Sequence, residues 1–397
     1  MIPELRHAFN SRFTVETYRA KVQALEAEAG HPIDFRICET PLFLDEALTR
    51  DLVQAVDEIV DVVVSPEYLE ESKRAVPARL AVPGDEGHTV FLQIDFALVE
   101  GEGGRYLPQL IELQGFPSVY AFQWLLDRET RRFHEIPAGF TTYFNDLDED
   151  GYAACLYDVI VGDCDPENVV LLEVDPFQQK TRVDFSITGR LLGIPTVDAL
   201  HVKERGGRLF YRNPKGREVE IRRLYNRVIL DEVERKGLDL DAIFRRELDV
   251  EWIGHPNWFL RISKFTLPFL RGKFVPPSHF VSDLAEIPAD LENYVLKPLY
   301  SFAGLGVEVG VTPERLRSLE NPETYILQRR VEYAPLIETP DGGAKAEVRM
   351  MLVWKPGAER PVLINNLVRV SKGLMSGVDF NKDKTWIGAS LAYHPPV

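Results

Sequence analysis

The sequence predicts a mixed α/β protein (α+β with an α/β part) built from three units, and three observations support this prediction. Helical spacing of apolar residues dominates the chain up to about residue 75. A strand, a helix and a second strand follow one another between Asn168 and Val197, which is the pattern of a parallel βαβ unit. Apolar runs that alternate around turns indicate antiparallel hairpins before and after that unit. We expect unit boundaries at 1–165, 166–255 and 256–397.

The composition is that of a globular protein, with 45% apolar and 27% charged residues among 397. A formal net charge of −16 argues against a nucleic-acid-binding surface, which needs a basic face. The three cysteines show neither CxxC spacing nor a paired pattern, which favours a reduced protein without disulfides or a zinc site. We find no signal segment and no apolar run long enough to span a bilayer. These features predict a cytoplasmic protein without nucleic-acid or membrane partners.

The N-terminal region is predicted to be helical and to lead into a hairpin. Apolar residues recur at helical spacing from Ile2 to Glu28, from Leu44 to Val64 and, more briefly, from Pro66 to Arg74. The period then changes, because the runs Thr89–Val99 and Tyr106–Gln114 alternate or are apolar and have glycines between them. Further helix is expected at 120–132 and within 141–160.

A second unit begins at Asn168. Val169–Val174 is a buried-strand run, Gln178–Leu192 has helical periodicity that ends at Gly193, and Ile194–Val197 is a second strand. The later predicted elements are a hairpin at 209–221, a strand at 223–229, a helix at 231–246, a strand at 325–328 and a hairpin at 346–371.

Two carboxylates and an amide lie on the arms of the first hairpin. Glu112 and Gln114 are two residues apart on one strand, so their side chains share a face, which Asp95 on the partner strand can also share. Hard oxygen ligands of this kind suit Mg²⁺, so Asp95, Glu112 and Gln114 are candidate metal ligands. The alternative is a solvated sheet face with ordinary surface acids. Leu110 and Leu113 make the strand appear buried, which favours a partner or a metal for Glu112.

A lysine precedes a glycine-bearing loop between two strand-like runs in the third unit. Gly304 and Gly306 allow the backbone to turn and to approach a ligand closely. Together with Ser301 they predict a lid over nucleotide phosphates, whose charge Lys297 would balance. Most glycine-bearing hairpins bind nothing, and Lys264, the second candidate lysine, is equally compatible with a helix surface.

A possible adenine-binding hinge follows, where a predicted strand runs into the polar segment that contains Gln328, Arg329 and Val331. Backbone N–H and C=O groups at such a strand end can pair with an adenine edge. The alternative is simply the end of a core strand.

Charged residues occur in the last hairpin, where apolar residues predominate. Arg369 lies among leucine and valine residues and therefore needs an anionic partner, which is either a ligand phosphate or a protein carboxylate such as Glu347. Arg349 and Lys372 belong to the same candidate cluster.

A candidate substrate-binding site lies in the second unit. Arg227 follows a strand-like run, and its guanidinium can bind a carboxylate through two parallel hydrogen bonds. Ser118, which follows the metal-like strand, could add a hydroxyl group to the same pocket. A solvated basic stretch and a turn serine are the alternatives.

Taken in order, these segments resemble an ATP-grasp ligase, specifically the glutathione synthetase and glutathionylspermidine synthetase-like branch. The resemblance covers most of the chain after about residue 85. The matching segments are Gln93–Phe96, Ile111–Gln114, Val170–Arg227, Lys264, Val295–Pro298 with its glycine loop, Tyr325–Gln328 and Leu367–Arg369. The resemblance implies an ATP-grasp fold with N-terminal helices and an inserted parallel βαβ substrate-binding domain.

The resemblance also implies a function: a carboxylate and an amine joined into an amide through an acyl phosphate, with ATP and Mg²⁺ as cofactors. It implies a catalytic role for Arg369, substrate binding by Arg227, and the metal ligands named above. From the residues themselves, we add Arg349 to the catalytic candidates and Ser118 to the substrate-binding candidates. The residues that the resemblance assigns to the nucleotide are Lys264, Lys297, Ser301, Gly304, Gly306, Gln328, Arg329, Val331 and Lys372.

Three positions depart from the family pattern. Gln114 stands where the family prefers Asn, Gln93 replaces an expected Arg, and residues 299–303 lack the expected metal-binding Glu. The last two departures, Gln93 and the missing metal-binding Glu, favour a second hypothesis, a nucleotide-binding regulatory protein that has lost catalysis. A small-molecule kinase that uses the same site is a third. The oligomeric state stays open, with a homodimer as one candidate.

Overall fold

The computed structural model describes residues 2–85, 87–301, 304–340, 342–373 and 384–397. Its helices are α1 (Pro3–Arg12), α2 (Val15–Ala29), α3 (Glu46–Val63), α4 (Pro66–Glu71), α5 (Tyr120–Phe133), α6 (Glu149–Ile160), α7 (Arg182–Leu192), α8 (Leu230–Lys236), α9 (Asp241–Phe244), α10 (Trp258–Arg261) and α11 (Pro313–Arg317). Its strands are β1 (Leu42–Phe43), β2 (Phe91–Glu100), β3 (Tyr106–Gln114), β4 (Val169–Glu173), β5 (Thr196–Asp198), β6 (Lys203–Arg205), β7 (Arg208–Arg212), β8 (Glu218–Ile221), β9 (Arg223–Asn226), β10 (Glu251–Ile253), β11 (Ser278–Phe280), β12 (Tyr294–Pro298), β13 (Glu308–Val309), β14 (Tyr325–Arg329), β15 (Ile337–Thr339), β16 (Gly342–Val353), β17 (Val362–Ser371), β18 (Gly388–Ser390) and β19 (Ala392–Tyr393).

The N-terminal helical prediction needs one correction. The spacing of Ile2 to Glu28 predicts one helix, but the structure has α1 and α2. Thr14 separates them, because its backbone is extended (φ −131°, ψ 147°) and its side-chain oxygen accepts a hydrogen bond from the Thr17 amide. A threonine in this position caps the following helix, so the apolar period continues across a break in the backbone. Helix α3 and the β2–β3 hairpin confirm the predictions for the segments that follow.

The central sheet joins an early hairpin to a late one. Its order is β18-β17-β16-β2-β3, all antiparallel, with β15 paired to β16. One face packs on α3 through a buried apolar cluster that includes Leu52, Ile94 and Val348. The hairpin predicted at 346–371 is therefore confirmed, and its pairing with β2 brings residues from both parts of the chain onto one sheet.

A parallel sheet lies between these hairpins in the sequence. Its order is β10-β9-β4-β5, with every neighbouring pair parallel, and α7 connects β4 to β5, which confirms the predicted βαβ unit. The chain moves from β4 to β5 on one side and later returns to β9 on the other side of β4. The carboxyl ends of β4 and β9 therefore form a topological switch point, where open α/β sheets bind ligands. The helix predicted at 231–246 is two short helices, α8 and α9, because Gly237 (φ +63°) ends the first of them.

A third sheet carries the glycine loop. Its order is β11-β14-β12-β13, all antiparallel, and the loop joins β12 to β13. The hairpin predicted at 209–221 is confirmed by β7 and β8, which form a small separate sheet with β6. In the part of the chain that the structure describes, no helix has the length and apolar character needed to cross a membrane. The proposed unit boundaries stay a prediction.

Candidate functional site

Strand pairing places five charged residues on one face of the central sheet. Asp95 lies opposite Arg349 across the β2–β16 pair and opposite Glu112 across the β2–β3 pair. Glu347 lies opposite Arg369 across the β16–β17 pair. Directly opposed residues project from the same side of a sheet, as do residues two apart on one strand, so all five share a face. We call Asp95, Glu112, Glu347, Arg349 and Arg369 the charged face.

Asp95 accepts hydrogen bonds from two guanidinium groups. Arg349 donates from Nε to Oδ1 and from Nη2 to Oδ2, each at 2.6 Å, and Arg369 donates from Nη2 to the same Oδ2. The side chains of Asp95 and Arg349 are 1% and 7% exposed, so this fork is buried. Burial alone would raise the pKa of Asp95, but Arg349 and Arg369 hold it below its usual value. Asp95 is therefore ionised at neutral pH.

Arg369 is surrounded by carboxylates. Its Nη2 donates to Glu347 as well as to Asp95, and it lies 3.8 Å from Oε1 of Glu112. Burial alone would lower the pKa of Arg369, but these carboxylates raise it above its usual value. Its side chain is 36% exposed, whereas that of Glu347 is 3% exposed. The protein carboxylate considered as its partner is therefore present, and the arginine side chain is still partly exposed.

Glutamines extend this network at the carboxyl end of β3. Gln114 donates from Nε2 to Oε1 of Gln93 at 2.5 Å and to the Phe116 carbonyl at 3.3 Å. Arg349 Nη1 also donates to Gln93, at 3.1 Å, and Gln93 in turn donates to the Ser118 carbonyl at 2.8 Å. Gln93, which stands where the family resemblance expects an arginine, is therefore buried and connects Gln114, Arg349 and Ser118 by hydrogen bonds. The structure shows Ser118 in contact through its backbone carbonyl.

The residues predicted to hold a metal fit that role in part. Asp95 does not fit, because both of its oxygens accept hydrogen bonds from arginine and two positive charges lie beside them. Glu112 does fit, since its side chain is 29% exposed. Gln114 makes both hydrogen bonds through Nε2, so its carbonyl oxygen is not used by them. Across the described ranges, no group of three or more His, Cys, Asp or Glu side chains is arranged to hold a metal. One or two protein ligands together with nucleotide phosphates are nevertheless sufficient for Mg²⁺.

Two buried lysines approach this region, Lys297 from β12 of the third sheet and Lys264 from a short 3₁₀ helix that begins at this residue. Lys297 Nζ donates to the Ile111 carbonyl on β3 at 3.0 Å. Lys264 Nζ donates to the carbonyl of Ser301 and, at 3.1 Å, to its hydroxyl oxygen. Lys264 is only 6% exposed, so the helix-surface alternative for this lysine is wrong. Burial lowers the pKa of Lys297 to about 8, although Glu112 acts in the opposite direction, and burial also lowers the pKa of Lys264.

The glycine loop turns as its sequence predicts. Gly304 and Gly306 have φ values of +76° and +73°, in the left-handed region that favours glycine. A Cβ at Gly306 would also lie 3.0 Å from Cγ of Pro298. Residues 302–303 of the predicted lid lie outside the described residues. Lys372 follows the end of β17 and is half-buried.

The predicted hinge contacts β3. Gln328 is buried on β14 and donates from Nε2 to the Leu110 carbonyl at 3.4 Å. The backbone amide of Arg329 donates to Pro277 at 2.8 Å, and its side chain donates to Asp290 at 3.0 Å. The amide of Arg329 is thus engaged within the protein, and Val331 lies two residues further along the chain. The contact of Gln328 with β3 places the hinge strand beside the charged face.

Arg227 occupies the switch point of the parallel sheet. Its guanidinium lies over Phe116 at 4.2 Å and near Phe185 at 5.4 Å, and the residue is only 3% exposed. Within the described part of the chain, its Nε and Nη1 atoms have no hydrogen-bond partner. Burial raises the pKa of the neighbouring Glu173 to about 7, although Arg227 acts in the opposite direction. Buried guanidinium N–H groups without a partner suit an anionic ligand.

Arg227 is connected to the charged face through Phe116. Phe116, the ring beneath Arg227, also accepts the hydrogen bond from Gln114 through its carbonyl. Sequence reasoning did not assign Phe116 or Glu173 to the site, and it named Gln93 only as the residue that replaces an expected arginine. Strand periodicity would have suggested Gln93, which lies two residues before Asp95 on the same face.

The chain was also compared with known proteins. No family model matches it, and no curated protein matches it. A solved structure that it resembles is a glutathione synthetase-like effector from Globodera pallida in its apo form, which is 11% identical. The match covers 98% of this chain and 99% of that one, with a TM-score of 0.56. At this identity the likeness shows the fold alone: over nearly its whole length, the chain has the mixed α/β fold of a glutathione synthetase-like protein.

Proposed function

We propose that this protein is an ATP-dependent carboxylate–amine ligase with an ATP-grasp fold. The observation that carries the proposal is the convergence of Asp95 and Glu112, from the early hairpin, with Lys297 and Arg369, from the late segments. Lys297 touches β3, and Arg369 touches Asp95. A nucleoside triphosphate is a ligand of this kind, because its phosphates need cationic side chains and its metal ion needs oxygen ligands.

In this proposal, the nucleotide lies between the third sheet and the charged face. Lys264 and Lys297 bind its phosphates, the segment Gln328–Val331 contacts its base, and the Ser301–Gly306 loop covers it. Exclusion of water by the loop matters because an acyl phosphate hydrolyses readily.

Glu112 and Gln114 would hold the magnesium ion. When bound, the ion supplies charge neutralisation at the phosphate oxygens. The protein's own part is positioning and electrostatics. Arg369 stabilises the charge on the group in transfer, and Lys297 balances the charge of the phosphates.

The reaction begins when the substrate carboxylate attacks the γ-phosphate, which gives an acyl phosphate and releases ADP. The amine then attacks the acyl carbon, loses a proton, and displaces inorganic phosphate to form the amide. Arg227, with its unpartnered Nε and Nη1 atoms, would orient a carboxylate of the acceptor substrate.

The direct test is to incubate the protein with ATP, Mg²⁺ and a mixed pool of amino acids and polyamines. We expect steady ADP release that needs both an acid and an amine, and a product whose mass is that of the two substrates less one water. Lys297→Ala is expected to weaken ATP binding and to lower ADP release, whereas the matched surface variant Lys215→Ala is expected to change neither. Unchanged ATP affinity in Lys297→Ala would contradict the role of this lysine.

ATP binding is also expected to depend on pH. The pKa of Lys297 is lowered to about 8, so its ammonium group is present below that pH and is lost as the pH rises through it. The Kd for ATP should therefore rise above about pH 8, by up to about tenfold per pH unit, if binding uses the cation. Arginine does not titrate in this range, so Lys297→Arg should lose most of the slope. Calorimetric titrations across this range would measure both, and an equal slope in the two proteins would contradict the assignment.

A second candidate function is a nucleotide-binding regulatory protein without turnover. The observation that favours it concerns Gln93. This residue is neutral, it connects Arg349 to Ser118 by hydrogen bonds, and it stands where the resemblance expects an arginine. ATP binding without ADP release in the presence of the full substrate pool would support this candidate over the ligase.

A further inference from the structure

The arrangement around Arg369 is more elaborate than a single salt bridge. Its Nη2 contacts both Asp95 and Glu347, while Glu112 lies 3.8 Å away. Asp95 and Glu347 are buried, with side chains 1% and 3% exposed, whereas more than a third of the arginine side chain is exposed. The two buried carboxylates therefore contact Arg369 while part of its side chain stays exposed.

Each of these two carboxylates is itself fixed by a second group. Asp95 accepts the two-atom fork of Arg349 at 2.6 Å, and Arg349 is in turn bound to Gln93 at 3.1 Å. Glu347 accepts a hydrogen bond from the Tyr333 hydroxyl at 2.7 Å. Because each carboxylate is held at a second point, neither can follow Arg369 if its long side chain rotates.

The charges around Arg369 favour a phosphate ligand. Among the described residues, Arg349 and Arg369 lie on the charged face with its three carboxylates, and Lys264 and Lys297 lie beside it. The carboxylates of Asp95, Glu112 and Glu347 act on both Lys297 and Arg369, so these groups form one electrostatic cluster. A concentration of cations suits an anionic ligand, and the acids limit repulsion between the cations while no ligand is bound.

We propose that Asp95 and Glu347 are positioning residues that hold the guanidinium of Arg369 towards the phosphate being transferred, and that Asp95 acts through Arg369 and not as a metal ligand. This inference rests on the proposed ligase function. A long arginine side chain has many rotamers, and fixing it before the reaction removes the cost of ordering it in the transition state. Tyr333 follows the hinge segment in the sequence. Because it hydrogen-bonds to Glu347, it also helps to hold Arg369 in position.

Four variants test the proposal. Glu347→Gln and Asp95→Asn should lower the rate of ADP release by about ten- to a hundredfold, the usual cost of losing a residue that supports a functional group. The KM for ATP should change much less, because the two lysines still bind the phosphates. Tyr333→Phe should lower the rate in the same sense but less, and it keeps the test usable if Asp95→Asn does not fold. Glu338→Gln, an exposed position on β15, is the matched control and should have no effect.

Metal dependence distinguishes positioning from ligation. Glu112→Gln should raise the Mg²⁺ concentration needed for half-maximal ADP release and should weaken Mn²⁺ binding to the ADP complex, as measured by electron paramagnetic resonance. Asp95→Asn should leave both quantities as in the unmodified protein. Weakened Mn²⁺ binding in Asp95→Asn equal to that in Glu112→Gln would overturn the proposal.

The position of Arg369 can be tested without any turnover. Crystal structures of the unmodified protein and of Glu347→Gln should show the guanidinium displaced in the variant. An unmoved guanidinium would overturn the proposal even if the ligase reaction is real. Conversely, absence of ADP release from the unmodified protein with every substrate pair would reject the ligase, while the same two structures would still show whether Glu347 positions Arg369.

Discussion

Replacing Arg369 with alanine is expected to lower the rate of ADP release by a factor of about 10²–10³, the usual cost of removing one group that stabilises transition-state charge. Arg369 is the more exposed of the two charged-face cations, so its loss should affect the chemical step more than nucleotide binding. Steady-state kinetics should show a fall in kcat with a much smaller change in the KM for ATP. Arg369→Lys should recover only part of the rate, because an ammonium group cannot bridge two carboxylates and a phosphate as a planar fork does.

A matched control for this prediction is Arg360→Ala. Arg360 is 45% exposed and pairs with Asp61 at the surface, away from the charged face. Its removal should leave kcat unchanged. If Arg369→Ala raised only the KM for ATP, Arg369 would be a binding residue, and the role proposed for it in phosphoryl transfer would be wrong.

Replacing Arg349 with methionine is expected to reduce the free energy of unfolding by about 3–5 kcal/mol, the cost of leaving one partner of a buried ion pair behind. Asp95 would keep its contact with Arg369 but would lose the fork that takes both of its oxygens. Urea unfolding followed by circular dichroism would measure the change. The matched control is Arg105→Met, because Arg105 is 62% exposed and pairs with Asp51 at the surface. A surface pair of this kind should contribute less than about 1 kcal/mol.

A double variant separates this pair from general damage to the core. Asp95→Leu combined with Arg349→Met removes both charges, so it should be more stable than either single variant. If the losses in the two single variants simply added, the fork between Asp95 and Arg349 would not be the source of the destabilisation.

Local patterns were sufficient to predict much of the fold. The β2–β3 hairpin, the unit from β4 to β5 and helix α3 follow from periods of two and 3.6 residues with glycine punctuation. The same patterns do not locate breaks within a helical period. Thr14 and Gly237 interrupt predicted helices through a side-chain cap and a left-handed backbone, and both features leave the apolar spacing almost unchanged.

The candidate site was predictable residue by residue but not as an arrangement. Asp95, Glu112 and Arg369 were each singled out because a charge on an apolar strand needs a partner. Which partner each one finds depends on the register of β16 between β2 and β17, and tertiary packing sets that register. The contact of Asp95 with Arg349 was therefore not evident from the sequence, which predicted a metal ion as the partner of Asp95.

The pairing of β2 with β16 also has a consequence for biosynthesis. Asp95 and Arg349 are 254 positions apart, so β2 leaves the ribosome long before its neighbour in the sheet is made. During that interval the hairpin of β2 and β3 has an unpaired edge, which exposes it to aggregation. Contacts of such long range also slow folding. The nascent chain is therefore expected to depend on chaperones until the final hairpin has been synthesised.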